Sequence, residues 1–187
     1  QKEWIMLNCK QASEVLKISP VRVKQLLREH ADLGFEKTDF NNGMIRISPN
    51  TMTSLLRLRS IKIKHKRIVI KQQKGGVGGT SLSLIASMRL AQKGARVLYI
   101  DLDSEANATS FLAKPEFDIA TANSFLEIFK NNTSPSDCIT ETRFENISMI
   151  PSKGMLRRVD KLLTEKNPKF LMDKILSQIE GRYDLIF

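Results

Sequence analysis

Cysteine, histidine and long apolar runs are scarce in this chain, and each scarcity excludes a class of protein. There are two cysteines and two histidines in 187 residues. Cys9 and Cys138 lie far apart in no metal-binding spacing, which argues against a disulfide scaffold, a zinc module or a cysteine-held cluster. No run of about 18 apolar residues occurs, and no secretory signal opens the chain. We therefore expect a cytoplasmic protein that does not span a membrane.

Positive charge is concentrated in the first third of the chain. The formal net charge is +10, and residues 1–67 carry 14 Lys and Arg against 6 Asp and Glu. Residues 68–187 are nearly balanced, with 16 against 14. A small basic segment joined to a balanced one predicts nucleic acid as the partner of the first segment. The alternative is a solvated surface that is merely rich in lysine.

The basic segment has a helix, helix, hairpin, helix pattern. Residues 10–16 are compatible with a helix, and Ser19-Pro20 and Ser48-Pro49 each place a capping residue before a helix-starting proline. Asn42-Gly43, between two partly alternating runs, predicts a hairpin turn. Residues 61–67 form a basic connector, and we place a domain boundary near residue 66.

This order of elements resembles a winged helix-turn-helix domain, in which the second helix enters the major groove and the hairpin touches the backbone. The resemblance implies that the polar side of the second helix reads DNA, since Arg and Gln carry donors and acceptors that suit base edges. The candidate DNA-binding residues are Arg22, Lys24, Gln25 and Arg28. A three-helix module with a solvated basic face is the alternative.

A strand, a glycine-rich loop, a helix and a second strand follow one another from residue 67. Residues 67–72 are rich in β-branched side chains and predict a buried strand. The loop covers residues 73–81, a helix is expected over 82–93 with Gly94 just past its end, and a strand over 95–101. In such a βαβ unit, backbone N–H groups at the helix N-terminus bind phosphate. The alternative interpretation is a glycine-rich turn that binds no ligand.

Three motifs in this part resemble those of the ParA-type partition ATPases and their septum-site relatives. Lys74-Gly75-Gly76-Val77-Gly78-Gly79-Thr80 is similar to their deviant Walker A loop. Residues 97–103 with Asn107-Ala108-Thr109 are similar to their second motif, and residues 182–187 to the approach to their Walker B strand. A helix-turn-helix at the start is similar to the larger members, which also repress their own operon.

The resemblance implies a role for each matched residue. Lys74 would reach the phosphates of a partner subunit and act in catalysis, with Asp103 positioning the attacking water. Thr80 would bind Mg²⁺ directly and Asp101 through water. The implied nucleotide-binding residues are Lys74, Gly75, Gly76, Val77, Gly78, Gly79, Thr80 and Ser81.

The chain departs from the family pattern at two places. Gly79 stands where the family has a second lysine, which contacts the β- and γ-phosphates. Losing one such donor costs about 3–4 kcal/mol of transition-state stabilisation, so we expect impaired ATP hydrolysis. Ser104, Glu105 and Ala106 replace the family's Pro, Gln and Gly. A substitution, a natural degenerate ATPase and compensation by Lys74 remain open as explanations of Gly79.

The combined expectation is an α/β protein: a winged helix-turn-helix domain over 1–66, then over 67–187 the first part of a P-loop, mostly parallel sheet flanked by helices. A further strand is expected at 146–151 and an amphipathic helix at 171–179. Because the chain starts at Gln1 and ends in an apolar run, we expect a fragment. The implied function is plasmid or chromosome partition near the nucleoid. The implied ligands and partners are ATP or ADP, Mg²⁺, DNA (an operator and nonspecific DNA), a ParB-like adaptor and a second copy of the chain. The alternatives are a degenerate repressor and a cell-division-site ATPase; an iron-protein-like reductase lacks its cysteines.

Overall fold

Three apolar cores organise the part of the chain that the computed structural model describes, which is residues 6–30, 45–71, 76–154 and 168–187. One core lies in the N-terminal module and one on each face of a large sheet. The first strand and the turn of the predicted hairpin lie outside these residues, as do Lys74 and Gly75 of the predicted phosphate loop. The seven α-helices of the described ranges are α1 (Cys9–Leu16), α2 (Pro20–Glu29), α3 (Pro49–Leu58), α4 (Gly79–Gln92), α5 (Asn107–Leu112), α6 (Phe125–Lys130) and α7 (Pro168–Leu176).

The strands form one small sheet and one large one. The seven strands of the described ranges are β1 (Leu7–Asn8), β2 (Arg46–Ile47), β3 (Lys66–Arg67), β4 (Val97–Ile100), β5 (Thr140–Glu141), β6 (Ile147–Ile150) and β7 (Leu185–Ile186). Strands β1 and β2 pair antiparallel. The other five follow the order β3-β7-β4-β6-β5, in which only the β5–β6 pair is antiparallel. The predicted fold class, a mostly parallel sheet flanked by helices, is confirmed.

Capping residues set the helix starts of the N-terminal module. The Ser19 side chain accepts from the Arg22 N–H and Ser48 accepts from the Thr51 N–H, each one residue before a proline. Asn8 and Gln11 form a reciprocal capping box at α1. The predicted starts of α2 and α3 are therefore confirmed, because serine and proline satisfy the requirements of the first turn locally.

A compact apolar cluster holds these three helices together. Val23 and Leu26, which we expected to face a core, are buried, and Leu27 is half-buried against the same cluster. The partner of β2 among the described residues is β1, whose register joins Leu7 to Ile47. The winged character of the module stays a prediction.

The central strands of the large sheet, β4, β6 and β7, are buried on both faces. Val97 and Tyr99 of β4 pack with α4 and α5, whereas Leu98 packs with residues of α6 and α7. Side chains alternate between the two faces along a strand, so four apolar residues in a row serve both layers. Arg96, just before β4, hydrogen-bonds to Asp184, just before β7. Burial acts to raise the pKa of Asp184, but the hydrogen bonds from Arg96 outweigh this effect and hold the pKa below its ordinary value.

The strand predicted over residues 67–72 is shorter and more exposed than expected. Only Lys66 and Arg67 are in β3, with Ile68 adding one more hydrogen bond to Ile186. Val69 is 88% exposed and Ile70 40% exposed. The prediction of a buried strand was wrong here, because β3 is the outer strand of the described sheet and its far edge has no neighbour among the described residues.

The N-terminal module docks on the start of the large sheet through α3. Thr53 Oγ1 donates to the Gly94 carbonyl (2.8 Å) and accepts from Asn146 Nδ2 (2.8 Å). Gln92 Nε2 donates to the Met6 carbonyl (3.0 Å). Gly94 has φ +92, and a Cβ there would lie 2.7 Å from Leu56 Cδ1 and 3.0 Å from the Met52 and Thr53 backbones. Glycine is thus required both by its left-handed backbone and by the close approach of α3.

Replacing Gly94 by alanine tests this interface. We expect Gly94→Ala to lower the free energy of unfolding by about 2–4 kcal/mol, combining a left-handed alanine with an overpacked contact. Gly181→Ala is the matched control, because a Cβ at Gly181 meets nothing within 4 Å. Urea unfolding followed by circular dichroism measures both variants, and equal stability of the two would contradict the close contact.

Candidate nucleotide-binding site

The candidate site lies where the parallel strands of the large sheet end. Asp101 follows β4 directly, and Ser152 follows β6 two residues after its end. Open sheets of this kind bind ligands in the crevice outside the carboxyl ends of their strands. The described end of the glycine-rich loop, Gly76 to Gly78, leads into α4, and Ser83 of α4 contacts Tyr99 near the end of β4.

Two glycines give the loop its shape. Gly76 has φ +78 and Gly78 φ +82, both in the left-handed region that other residues rarely adopt. No atom lies within 4 Å of a Cβ built at either position, so backbone conformation rather than crowding requires glycine. Gly78 is the N-cap of α4 and has no side chain to cap it, although its carbonyl accepts the first helical hydrogen bond from Leu82. The first-turn N–H groups are therefore suited to an anion.

Gly79, Thr80 and Ser81 form the first turn of α4. Gly79 is helical and is not among the positive-φ glycines, so the backbone does not require a glycine there. Thr80 is half-buried and Ser81 and Val77 are exposed. These positions fit a phosphate with a metal ion, since Thr80 carries a hydroxyl at the helix start.

Ser83 ties this helix to β4. Its hydroxyl donates to the Thr80 carbonyl (2.8 Å) and lies 2.6 Å from the Tyr99 hydroxyl. Burial raises the pKa of Tyr99, and the nearby Asp101 and Asp103 carboxylates raise it further, against the effect of the Ser83 hydrogen bond. Tyr99 thus stays a neutral phenol that fixes α4 above the acidic loop.

Asp101 is a buried anchor of the loop after β4. Its carboxylate accepts from the Asp103 N–H (3.0 Å), the Thr109 N–H (2.8 Å) and the Thr109 hydroxyl (2.7 Å). Only 4% of Asp101 is exposed. Three donors from the protein hold this carboxylate, so its first effect is to shape the loop that carries Asp103. Its predicted contact with metal-bound water stays a prediction.

Asp103 is the more accessible of the two acids. It is half-buried, and its Oδ1 accepts from the Glu105 N–H (3.0 Å). Sequence reasoning missed Ser152, whose hydroxyl donates to the Asp103 carbonyl and whose N–H donates to Thr109 Oγ1 (2.9 Å). Its signal was available, because Ser152 follows a predicted parallel strand as Asp101 does.

Ala106 explains one departure of the second motif. Its φ is +52 and ψ +29, a left-handed conformation at the N-cap of α5. The ParA-type ATPases that this motif resembles have glycine at this position. Glycine adopts the left-handed conformation without the Cβ clash that alanine incurs. Ala106 is therefore a strained substitute rather than a different turn.

The predicted DNA-reading residues are all on α2 and lie apart from the site above. Arg22, Lys24, Gln25 and Arg28 are exposed, while Val23 between them is fully buried. Arg22 Nη1 pairs with Glu29 Oε1 at 3.0 Å, so Glu29 partly engages its charge.

A glycine turn that opens a helix at the carboxyl edge of a mostly parallel sheet defines the P-loop nucleotide-binding class. The chain belongs to the AAA domain family, whose model matches residues 65–187. Its relatives include Soj proteins and ParA family proteins.

Three relatives illustrate the similarity. The cell division protein PomZ of Myxococcus xanthus is 27% identical over 178 residues, covering 95% of this chain and 51% of PomZ. The sporulation initiation inhibitor Soj of Bacillus subtilis is 32% identical over 122 residues, covering 65% of this chain and 47% of Soj. The structure of Cyanothece McdA in complex with ATP has a TM-score of 0.58 at 25% identity, covering 67% of this chain and 47% of McdA.

The chain spans about half the length of these curated relatives. Across the residues that the structure describes, no helix combines the length and apolarity needed to pass through a bilayer.

The strain at Ala106 gives a prediction for the second motif. We expect Ala106→Gly to raise the free energy of unfolding by about 1 kcal/mol, because glycine removes the left-handed penalty. Ala108→Gly, inside α5 and 1% exposed, should instead lower it by about 1 kcal/mol or more. Thermal unfolding distinguishes the two, and a loss of stability in both would contradict the assigned conformation of Ala106.

Proposed function

We propose that this chain is the nucleotide-binding part of a DNA-partition ATPase that binds ATP or ADP with Mg²⁺. The observation that carries the proposal is the left-handed turn at Gly76 and Gly78, which opens α4 at the carboxyl edge of the sheet. Nucleotide-bound relatives of the same fold support it.

Different residues of the site would bind the phosphates, the Mg²⁺ ion and the attacking water. Backbone N–H groups from Gly76 to Ser81 would hold the phosphates, and the helix N-terminus adds its partial positive charge. Thr80 would bind Mg²⁺, which neutralises charge on the β- and γ-phosphates when bound. Asp103 would orient the attacking water, and Asp101 would act mainly by fixing the backbone that carries Asp103. Lys74 and Gly75 would complete the cradle, with Lys74 directed at a partner subunit's nucleotide.

Gly79 sets the expected catalytic rate. A lysine side chain at the first helical residue would reach the phosphates, whereas Gly79 offers only its N–H group. Backbone amides and Mg²⁺ suffice for binding, so we propose a protein that binds nucleotide and hydrolyses it slowly. The glycine at position 79 also favours a second candidate function, a DNA-binding repressor that keeps the P-loop fold but does not hydrolyse ATP.

Restoring the lysine separates the two candidates. We expect Gly79→Lys to tighten ATP binding and to accelerate phosphate release by about two to three decades, because one charge donor is worth about 3–4 kcal/mol in the transition state. The backbone at residue 79 is helical and accepts lysine. Nucleotide titration and a phosphate-release assay measure the change.

Gly181→Lys is the matched control, since it adds the same charge at an open position in the turn before β7. If Gly79→Lys binds ATP no more tightly and hydrolyses it no faster than this control, residues 74–80 are not the phosphate-binding loop. If affinity rises while turnover stays absent, the repressor is favoured over the ATPase.

Exposed apolar side chains beside the loop support dimerisation. Val77 and Leu82 are each 63% exposed and Ile85 is 56% exposed. Leu82 and Ile85 are three residues apart and share a face of α4. We propose that a second copy covers this face when both copies hold ATP, which would bring Lys74 to the partner's phosphates.

Charge on this face should prevent dimer formation. We expect the Leu82→Asp, Ile85→Asp double variant to weaken the ATP-dependent dimer at least tenfold, because burying each apolar side chain is worth about 1.5–3 kcal/mol. Light scattering with a slowly hydrolysed ATP analogue measures the dimer. Val21→Asp, at a position 74% exposed on α2, is the control. Equal dimerisation of both variants would argue against an interface on α4.

The N-terminal module completes the proposal. We propose that α2 contacts an operator through its exposed polar residues, Arg22, Lys24, Gln25 and Arg28. This contact would let the protein repress its own operon. A ParB-like adaptor would trigger ATP hydrolysis. The exposure of these four residues along one helix supports the DNA contact. The similarity to PomZ, which covers 95% of this chain, keeps a cell-division role as an alternative cargo for the same ATPase.

A further inference from the structure

The connector between the N-terminal module and the large sheet carries a run of cations without an acid. Residues 54–67 contain six lysines and arginines and no aspartate or glutamate. We use the name connector strip for Arg59, Lys62, Lys64 and Lys66, all of which are exposed. The strip lies outside α2 and away from the carboxyl edge of the sheet, so neither proposed site uses it.

The path of the connector is fixed at its start. The Ser60 N–H donates to the Arg57 carbonyl (2.9 Å) and the Ile61 N–H to the Leu56 carbonyl (2.9 Å), with Ser60 at φ +53. These two bonds form a Schellman motif, in which the residue after the left-handed position packs back on the helix. The connector therefore leaves α3 in one direction instead of swinging freely.

Its apolar side chains anchor it to the core of the N-terminal module and to the core under α4. Ile61 packs against the core of the N-terminal module, and Ile63 packs against that core and the core under α4. Ile61 and Ile63 are half-buried, whereas Lys62 and Lys64 are exposed. This alternation is the period of extended backbone, which directs the lysines outward while the isoleucines hold the chain down.

The strip residues differ from Arg67 in their side-chain partners. Within ranges 6–30, 45–71, 76–154 and 168–187, no hydrogen bond or ion pair engages the side chains of Arg59, Lys62, Lys64 or Lys66. The next residue, Arg67, instead pairs with Asp173 and Glu180. The chain thus uses Arg67 to fix β3 to the helical layer and leaves the preceding lysines available.

We propose that the connector strip binds the phosphate backbone of duplex DNA, independently of base sequence. The proposal rests on the DNA-binding part of the proposed function and adds a contact outside α2. Alternate residues of extended backbone lie about 6.6 Å apart, so neighbouring ammonium groups meet different phosphates of one strand. An anchored row also loses less conformational entropy on binding than a flexible tail does.

Duplex DNA fits the strip better than an anionic membrane does. Membrane-surface segments combine a basic face with an apolar face that enters the lipid. The isoleucines of the connector are already committed to the protein cores. The strip therefore offers charge without an apolar face, which suits a polyanion in water.

The test compares two triple variants of the chain on a duplex of arbitrary sequence. The strip variant, Lys62→Gln, Lys64→Gln, Lys66→Gln, removes the three lysines of the strip. The control variant, Lys130→Gln, Lys169→Gln, Lys174→Gln, removes the same charge at exposed positions elsewhere. Affinity is measured by fluorescence anisotropy from about 50 to 200 mM salt. We expect the strip variant to flatten the slope of log affinity against log salt by about 2–3, since each lost phosphate contact removes about 0.9. We expect the control to keep the slope of the unchanged chain.

Several results would overturn the proposal. They are equal slopes for the two triple variants, no duplex binding by the unchanged chain, or a strip effect on phosphatidylserine vesicles without one on DNA. The α2 variant Lys24→Gln, Arg28→Gln gives one more outcome. If it no longer binds the duplex while the strip variant binds as the unchanged chain does, the DNA contact lies on α2 alone. ATP titration of the same proteins tests the nucleotide site separately, so failure of the strip is distinguishable from failure of the proposed ATPase.

Discussion

The left-handed turn at Gly76 and Gly78 is the constraint on which the candidate site depends. Two residues with positive φ turn the backbone into the start of α4, and glycine takes that conformation at the least cost. The turn leaves the N-terminus of a 14-residue helix uncapped by any N-cap side chain. Backbone N–H groups at a helix N-terminus favour an anion, which is why the fold and the proposed chemistry coincide there.

A hydrogen-bonded network keeps the opposite wall of the site in place. The Asp101 carboxylate connects the loop after β4 to the start of α5, and Ser152 joins that loop to the end of β6. Ser83 and Tyr99 join the same region to α4. Because each buried polar group in the network has a partner, the arrangement of Asp103 relative to the helix start is fixed before a ligand binds.

Local signals predicted the fold where they were strong. Ser19 and Ser48 before proline gave the starts of α2 and α3, and Gly94 gave the end of α4, because capping is decided within one turn. The extent of the strand at residues 67–72 was wrong, since burial at Val69 depends on neighbouring strands that its own residues do not specify. Strand β1 was missed because two residues have no detectable period, and the docking of Thr53 on Gly94 joins residues far apart in sequence.

The central claim is that amides at the start of α4 bind a polyphosphate. Amide chemical shifts of Gly76 to Ser81, measured by NMR on an isotope-labelled sample, test it most directly when Mg²⁺ with ATP is compared with Mg²⁺ with adenosine. The account predicts large shifts of these amides with ATP and small ones with adenosine, because the triphosphate is the group they contact. Unchanged amides at these residues, with ATP-dependent shifts confined to other parts of the chain, would contradict it.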